Sequence, residues 1–417
     1  SYGSLGNQQI GYYDFIQTIT TKGSMSDYSF DGTVLGQHAT VSDPVSGDQT
    51  WEKVVSKNLG LDLNMFNNRL SLTTDFYIRD TKGILGKGKS LPSIYGASEP
   101  QMNANNLRTK GYELVLGWRD SFKLAGSTFS YGITGTFSDY TAEYTKCDNP
   151  TGLIGDPYVG KKYGEIWGYK VDGLFRNDKE AAEYASRIDL STVASGYYTA
   201  TGAYGKGVRG GDIKYLDLNG DNIVNGGKGT LDDPGDRRVI GNSSPRYQYG
   251  ASLNFSWYGF DVSVFMQGIG RLDWYPGADN LRFWGPYCRP YATFVPKNFM
   301  SQVWSEENPD AYFPRARAYT SLNSNSGTAY YTNDRYLQNL AYCRLKNLTI
   351  GYTIPRRLTS KVGIKECRIY FSGENLATWS ALKSDFLDPE QAAADSDKKA
   401  NVYPWCKTYS IGLNLTF

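Results

Sequence analysis

Ser410-Ile411-Gly412-Leu413-Asn414-Leu415-Thr416-Phe417 closes the chain, and its pattern decides how the rest is read. In an extended strand successive side chains point to opposite faces. Ile411, Leu413, Leu415 and Phe417 therefore share one face, and Gly412, Asn414 and Thr416 the other. One greasy face backed by one small or polar face suits a wall between lipid and a wet interior. The alternative is a core strand of a soluble sandwich that ends in Phe.

The same alternation recurs along the chain. Tyr247, Tyr249, Ala251, Leu253, Phe255 and Trp257 alternate with Gln248, Gly250, Ser252, Asn254 and Ser256. That run has the length of about 9–11 residues with which a tilted strand crosses the hydrocarbon layer. After Tyr258-Gly259 the chain returns through Phe260, Val262, Val264 and Met266. Alternating runs also cover 59–65, 70–78, 112–118, 129–137, 348–354 and 367–371. With one more near the amino terminus they make about ten strands. Short links follow Met65, Trp118, Trp257 and Ile354, and long ones follow Ile78, Phe137, Met266 and Phe371. All short links thus fall on one side, the arrangement of outer-membrane barrels with short periplasmic turns and long outer loops.

Composition agrees. Aromatic residues make up 15% of the 417, with 34 Tyr, 18 Phe and 9 Trp beside 46 Gly. Interfacial girdles and tight turns use these residues. Secreted, soluble glycan-binding β proteins are rich in Tyr and Trp too, and that remains the competing class. A net charge of +2 gives no reason to expect nucleic acid as a partner. The mean hydropathy of −0.49 and the absence of any long uncharged apolar window exclude transmembrane helices but not barrel strands. The five cysteines lack paired spacing and are read as small apolar fillers, with Cys147–Cys288 as the alternative pairing. The chain opens on Ser1-Tyr2-Gly3 inside a strand or turn, and is read as the carboxy-terminal piece of something longer.

Three constellations could carry chemistry. Asp217, Asn219, Asp221 and Asn225 occupy the first, third, fifth and ninth positions of an EF-hand-like loop, where alternate residues supply hard oxygens to calcium. Lys228 stands at the twelfth position instead of a bidentate Glu, so a structural calcium would have to recruit Asp232, Asp233 or Asp236. The other reading is an Asx-rich outer loop held by its own side-chain-to-backbone bonds. No other cofactor is required. Trp274, Tyr275, Trp284 and Tyr287, with Arg282 and Arg289 nearby, form the expected ligand surface. Aromatic rings stack on sugars while charges bond hydroxyls or peptide groups; the same rings could instead pack the loop on itself or against a partner. Gly205 to Gly210 has a dinucleotide-fingerprint spacing without the flanking strand and helix, and reads as a loop. The single His38 makes a catalytic triad improbable, and acids such as Asp388 with Glu390 are expected in solvated loops, so no enzyme is expected.

Several segments resemble the SusC/RagA family of TonB-dependent transporters. They are Trp51-Glu52 leading into Asn58-Leu59-Gly60-Leu61-Asp62, Asp75-Phe76-Tyr77-Ile78-Arg79-Asp80, Asn106-Leu107-Arg108-Thr109-Lys110-Gly111-Tyr112, Gly211-Asp212-Ile213-Lys214-Tyr215, Pro245-Arg246-Tyr247, Arg344-Leu345-Lys346-Asn347-Leu348, Gly373-Glu374-Asn375-Leu376 and Asp388-Pro389-Glu390. The closing strand, through Gly412, Leu415 and the terminal Phe417, is similar to the signal by which outer-membrane barrels reach their assembly machinery. The resemblance implies that residues 1–417 are one carboxy-terminal part of a transmembrane antiparallel β-barrel of about 22 strands, lacking the plug and first strands. It implies a location in the bacterial outer membrane and uptake of oligosaccharides or oligopeptides. As partners it implies a SusD-like surface lipoprotein as lid, TonB-ExbB-ExbD acting through the missing amino-terminal part, and membrane lipid. It leaves open a dimer of transporter–lid pairs.

Overall fold

Alternation becomes register in a ten-stranded antiparallel sheet. The computed structural model describes every residue except 9–15, 23–37, 48, 88–91, 200–206, 289–294, 296, 318–319, 323–326, 385, 395–402 and 404. The sheet strands follow in chain order: β1 (Tyr2–Asn7), β2 (Glu52–Met65), β3 (Leu70–Lys87), β4 (Gln101–Leu124), β5 (Ser127–Lys146), β6 (Arg246–Trp257), β7 (Phe260–Arg271), β8 (Tyr342–Thr353), β9 (Glu366–Ser380) and β10 (Thr408–Thr416). Each lies beside its neighbour in this order, so the wall is an up-and-down meander with β1 and β10 at its edges. No described helix is long and apolar enough to cross a membrane.

The chain forms two compact units. The first comprises Ser1–Leu59, Phe76–Gly111 and Tyr140–Tyr163. There β1 pairs with the beginning of β2, from Tyr2 opposite Lys57 to Asn7 opposite Glu52. A separate hairpin joins Ile19–Lys22 to His38–Val41, and Arg108 forks onto Asp80 at 2.7 and 3.2 Å.

The second unit, Gly60–Asp75, Tyr112–Asp139 and Gly164–Phe417, carries the clearest register. One row crosses six strands through Tyr131, Phe255, Val262, Ile350, Phe371 and Ile411. The next row, on the opposite face, runs through Ser130, Ser256, Asp261, Gly351, Tyr370 and Gly412. Another on that polar face runs through Gly132, Asn254, Ser263, Thr349, Ser372 and Ser410. The apolar face is bare: Ile411 is 85% exposed and Leu413 57%. A soluble sandwich would cover it with a second sheet, yet the other described sheets are all two-stranded. Withdrawing a large aliphatic side chain from water contributes roughly 1.5–3 kcal/mol. Across so many strands that gain is realised only if hydrocarbon takes the place of water.

Turns close one end of the wall. Ala125-Gly126 and Tyr258-Gly259 both adopt positive φ at each residue (47° and 83° in both pairs), the backbone that matches the twist of a two-residue hairpin. A Cβ on Gly259 would also press on the Thr353 carbonyl, which explains why glycine is needed there. The Tyr258 hydroxyl donates to the Ala125 carbonyl, tying two hairpin tips together. Aromatic rings gather at this end, with Trp257 against Tyr258 (5.1 Å between centroids) and Phe260 against Tyr352 (4.6 Å).

A bulge at Lys346 resets the faces. Leu345 pairs with Met266 and Ala377, while Asn347 pairs with Phe265 and Glu374. Lys346 is thus the extra residue, and Asn375 on β9 takes up φ of 52° opposite it. One inserted residue exchanges the two sides of a strand. Leu345 thereby returns to the lipid side and Arg344 turns inward.

The dry core lies outside the wall. Its buried side chains come from the long connections, among them Phe175, Tyr197, Ile213, Tyr215, Trp284, Phe313, Tyr336 and Ala392. None of the five cysteines forms a disulfide; Cys147 is half-buried and Cys288 buried, so the alternative Cys147–Cys288 pairing is not formed.

Candidate functional site

Ion pairs brace the wall. Arg368 on β9 reaches across β8 to fork onto Asp261 of β7 at 2.9 and 2.5 Å. Arg246 forks onto Asp139 at 2.6 Å through both nitrogens. Near the turns the polar face opens into a basin of about 870 Å³, lined by Asn67, Arg69, Asp120, Asn254, Ser256 and Asp261 among others. Arg69 sits 3.2 Å from Asp120 at its rim. Small residues over bidentate ion pairs leave this face wettable, as expected of the inside of a barrel.

The long connections fold into a cap around stacked aromatic rings. Trp284 is fully buried, packed edge-on to Phe283 (4.8 Å) and Tyr336 (5.0 Å), with its indole N–H donating to the Gly277 carbonyl at 3.0 Å. Tyr287 is 2% exposed and donates to the Pro314 carbonyl at 2.5 Å. Tyr275 donates to the carbonyls of Ala329 and Tyr331, both at 3.1 Å. Trp274 is buried beside them. The residues expected to face a ligand are therefore distributed otherwise. Trp274, Tyr275, Trp284 and Tyr287 turn into the cap, and only Arg282 of that set is exposed. Arg289 lies outside the described residues. Self-packing wins because rings of this size bury 150–250 Å² each, and ten or so are within reach of one another here.

Under the cap lies a charged pair that sequence reading missed. Arg317 donates to Asp212 at 2.6 Å, both side chains almost fully buried. The Arg209 N–H reaches the same carboxylate oxygen at 2.7 Å. The guanidinium lies 4.1 Å from the Tyr197 ring centre, and the Tyr197 hydroxyl joins Ser321 and Thr328 at 3.1 and 3.0 Å. Burial pushes that hydroxyl up to about 12. Burial likewise pushes the Asp212 carboxyl up to about 6, against the opposing pull of Arg317 and the Arg209 amide. A raised folded-state value means that the cap holds a proton the unfolded chain releases. The stability from this group is full below the unfolded value and lost as pH rises through about 6. Hydrogen exchange of the cap, corrected for intrinsic rates, is therefore expected to slow as pH falls from 7 to 5, and Asp212→Asn should flatten that slope. An unchanged slope in the variant would assign the effect elsewhere.

The Asp217 loop is shaped by its own bonds. Asp217 accepts from the amides of Gly220 and Asn222 at 2.7 and 2.9 Å, and Asp221 from Ile223 at 2.8 Å. Asn219 accepts from Asp221 at 3.1 Å, and Asn225 from Gly227 at 2.6 Å. Buried Asp236 gathers the amides of Leu218 and Asn225 at 2.7 and 2.9 Å, and Asp233 takes the Lys228 amide at 3.2 Å. These are the side-chain-to-backbone bonds of an Asx-rich loop. No described group of three or more His, Cys, Asp or Glu side chains is gathered as for a metal. Gly205 and Lys206 of the fingerprint-like stretch lie outside the described residues.

Asp388 and Glu390 are pinned to the wall. Arg344 donates to Asp388 and Glu390 at 2.6 Å each and to the Thr378 hydroxyl at 2.9 Å. Lys346 holds both oxygens of Glu390 at 2.7 Å. The acid pair is thus engaged by cations of β8, a holding role for the loop that follows β9. In the closing strand, Gly412 lies under the Tyr370 ring on the polar face, while Leu415 and Phe417 are 42% and 72% exposed.

No family model matches the chain. It is 25% identical over its whole length to TonB-dependent receptor P3 of Formosa agariphila, of which it covers 39%. It is 22% identical, again over its whole length, to TonB-dependent receptor SusC of Bacteroides thetaiotaomicron, covering 37%. Its fold superposes on the RagAB peptide transporter with a TM-score of 0.69 at 22% identity, covering 100% of this chain and 40% of that one. Along its whole length the chain is similar to TonB-dependent receptors of the SusC/RagA type. It spans about two fifths of the length of the relatives it matches. TonB-dependent receptors of this kind are outer-membrane proteins, and the exposed apolar rows of the wall suit that location. The relatives are named as receptors and a transporter rather than as enzymes.

Proposed function

We propose that this chain forms wall, lumen lining and outer cap of a TonB-dependent importer that takes up oligosaccharides or oligopeptides beneath a SusD-like lipoprotein lid. The observation that carries the reading is the two-faced register, apolar from Tyr131 to Ile411 and polar from Ser130 to Gly412, with a folded cap on the long-loop side. TonB, driven through ExbB and ExbD, would act on the plug in the rest of the protein, and the polar basin near Asn254 and Asp261 offers that plug a wet wall. Between the two ligand classes, likeness to a protein described as a peptide transporter favours oligopeptides. Deleting the full-length gene is expected to abolish growth on an oligopeptide mixture as sole amino-acid source, with the lid lipoprotein co-purifying with the intact protein. Normal growth on both peptide and oligosaccharide mixtures would overturn the import reading. Growth lost only on oligosaccharides would overturn the peptide choice.

A further inference from the structure

Of the described turn-side connections, the one between β8 and β9 is unlike the others. Residues 66–69, 125–126 and 258–259 reverse the chain tightly, whereas 354–365 builds a helical turn (Arg356–Thr359) that continues as a 3-10 turn (Ser360–Val362). Pro355 starts it, since a residue without an N–H cannot extend the ladder. Gly363 ends it at φ of 77°. Amides at both ends fix it to the wall: Ile354 donates to the Cys367 carbonyl at 2.9 Å, and Lys365 to that of Thr416 at 2.7 Å.

The turn is amphipathic in an unusual direction. Thr359 faces inward at 6% exposure, while Leu358 and Val362, four residues apart and so on one side, are 59% and 70% exposed. Arg356, Arg357, Lys361 and Lys365 surround them, all exposed. No acid occurs between 354 and 365; Glu366 opens the next strand. The lipid-facing row through Phe260, Tyr352, Ile369 and Leu413 ends just before this turn. Two bare aliphatics continuous with a lipid-facing wall, ringed by cations, match the boundary between acyl chains and phosphate. Aliphatic side chains enter that boundary while Lys and Arg stems extend to the headgroups.

We propose that residues 355–365 form a contact site for anionic phospholipid of the leaflet on the turn side, with Leu358 and Val362 entering the interface and Arg357, Lys361 and Lys365 binding the lipid phosphate. The site goes beyond import: it would fix the depth of the wall and hold a ring lipid whatever the cargo. It needs the barrel reading but no choice of ligand.

The test uses the full-length transporter in nanodiscs of equal parts phosphatidylethanolamine and phosphatidylglycerol, with retained lipids counted by native mass spectrometry. Wild type is expected to keep phosphatidylglycerol in preference. A basic side chain near an anionic surface is worth roughly fivefold, so Arg357→Gln/Lys361→Gln/Lys365→Gln should lower that preference by about a hundredfold. Retention of phosphatidylethanolamine should stay the same. Leu358→Ser/Val362→Ser should lower retention of both lipids. Wild type washed at about 1 M salt, where the screening length falls to about 3 Å, should also lose the preference, a readout independent of any variant's assembly. Wild-type preference in the triple-glutamine variant, or preference that survives the salt wash, would overturn the proposal. That outcome would assign the cations to a protein contact instead.

Discussion

Arg344→Ala is expected to release the loop after β9 from the wall. Arg344 is 1% exposed, and its guanidinium is the sole described cation on Asp388 and one of two on Glu390. Removing it leaves Asp388 desolvated and uncompensated, a defect that costs about 3–5 kcal/mol in buried pairs. Local opening of residues 381–407 should rise accordingly. Since about 1.4 kcal/mol is a factor of ten, protease cleavage limited by that opening should quicken by about a hundredfold or more. Protease applied to intact cells, followed by mapping of the cut sites, reads this directly. Arg344→Lys should recover only part of the protection, because an ammonium cannot fork to two carboxylates and a hydroxyl at once. Wild-type cleavage in the alanine variant would mean that the loop is held by something other than this cluster.

Gly412→Ala should impair assembly of the closing strand, a large effect for one methyl group. A Cβ at this position would overlap the ring of Tyr370, which lies across Gly412 from the paired strand. Ring over glycine is a recurring device for locking neighbouring strands. Forced overpacking costs about 1–3 kcal/mol, and β10 has a described partner on only one side, β9. The assembled, heat-modifiable fraction in outer membranes should fall severalfold. Tyr370→Ala in the same chain removes the obstruction and should restore much of it. If the double variant assembles no better than Gly412→Ala, the defect lies in recognition of the terminal sequence rather than in packing.

How far the sequence speaks depends on which solvent each segment meets. The rows through Tyr131, Phe255 and Ile350 were legible because lipid on one side and water on the other impose strict alternation. Where neither face carries an apolar row, that signal stops. β4 extends over Gln101–Leu124 although only 112–118 alternates convincingly, since Gln101, Asn103, Asn105 and Asn106 carry no apolar period. The aromatic segment around Trp284 illustrates a second limit. Rings that bind a ligand and rings that bind one another have the same composition, and only packing separates them. The Arg344 cluster joins residues 44 and 46 apart in sequence, and the bulge at Lys346 that aims Arg344 inward leaves no mark in residue type. Arg344-Leu345-Lys346 and Asp388-Pro389-Glu390 were each noticeable, but not as two halves of one contact.

The placement of the dry core has a consequence for biogenesis. Its side chains come from three separated stretches, around 169–224, 274–340 and 387–392, with wall hairpins threaded between them. The middle stretch stacks Phe283, Trp284, Phe313 and Tyr336 on one another, while the first stretch joins it through Tyr169 against Tyr331 and through the Tyr197 hydroxyl at Ser321 and Thr328. The shared core is therefore complete only when stretches lying before and after the β6–β7 hairpin have met, and the middle stretch is the part able to pack first.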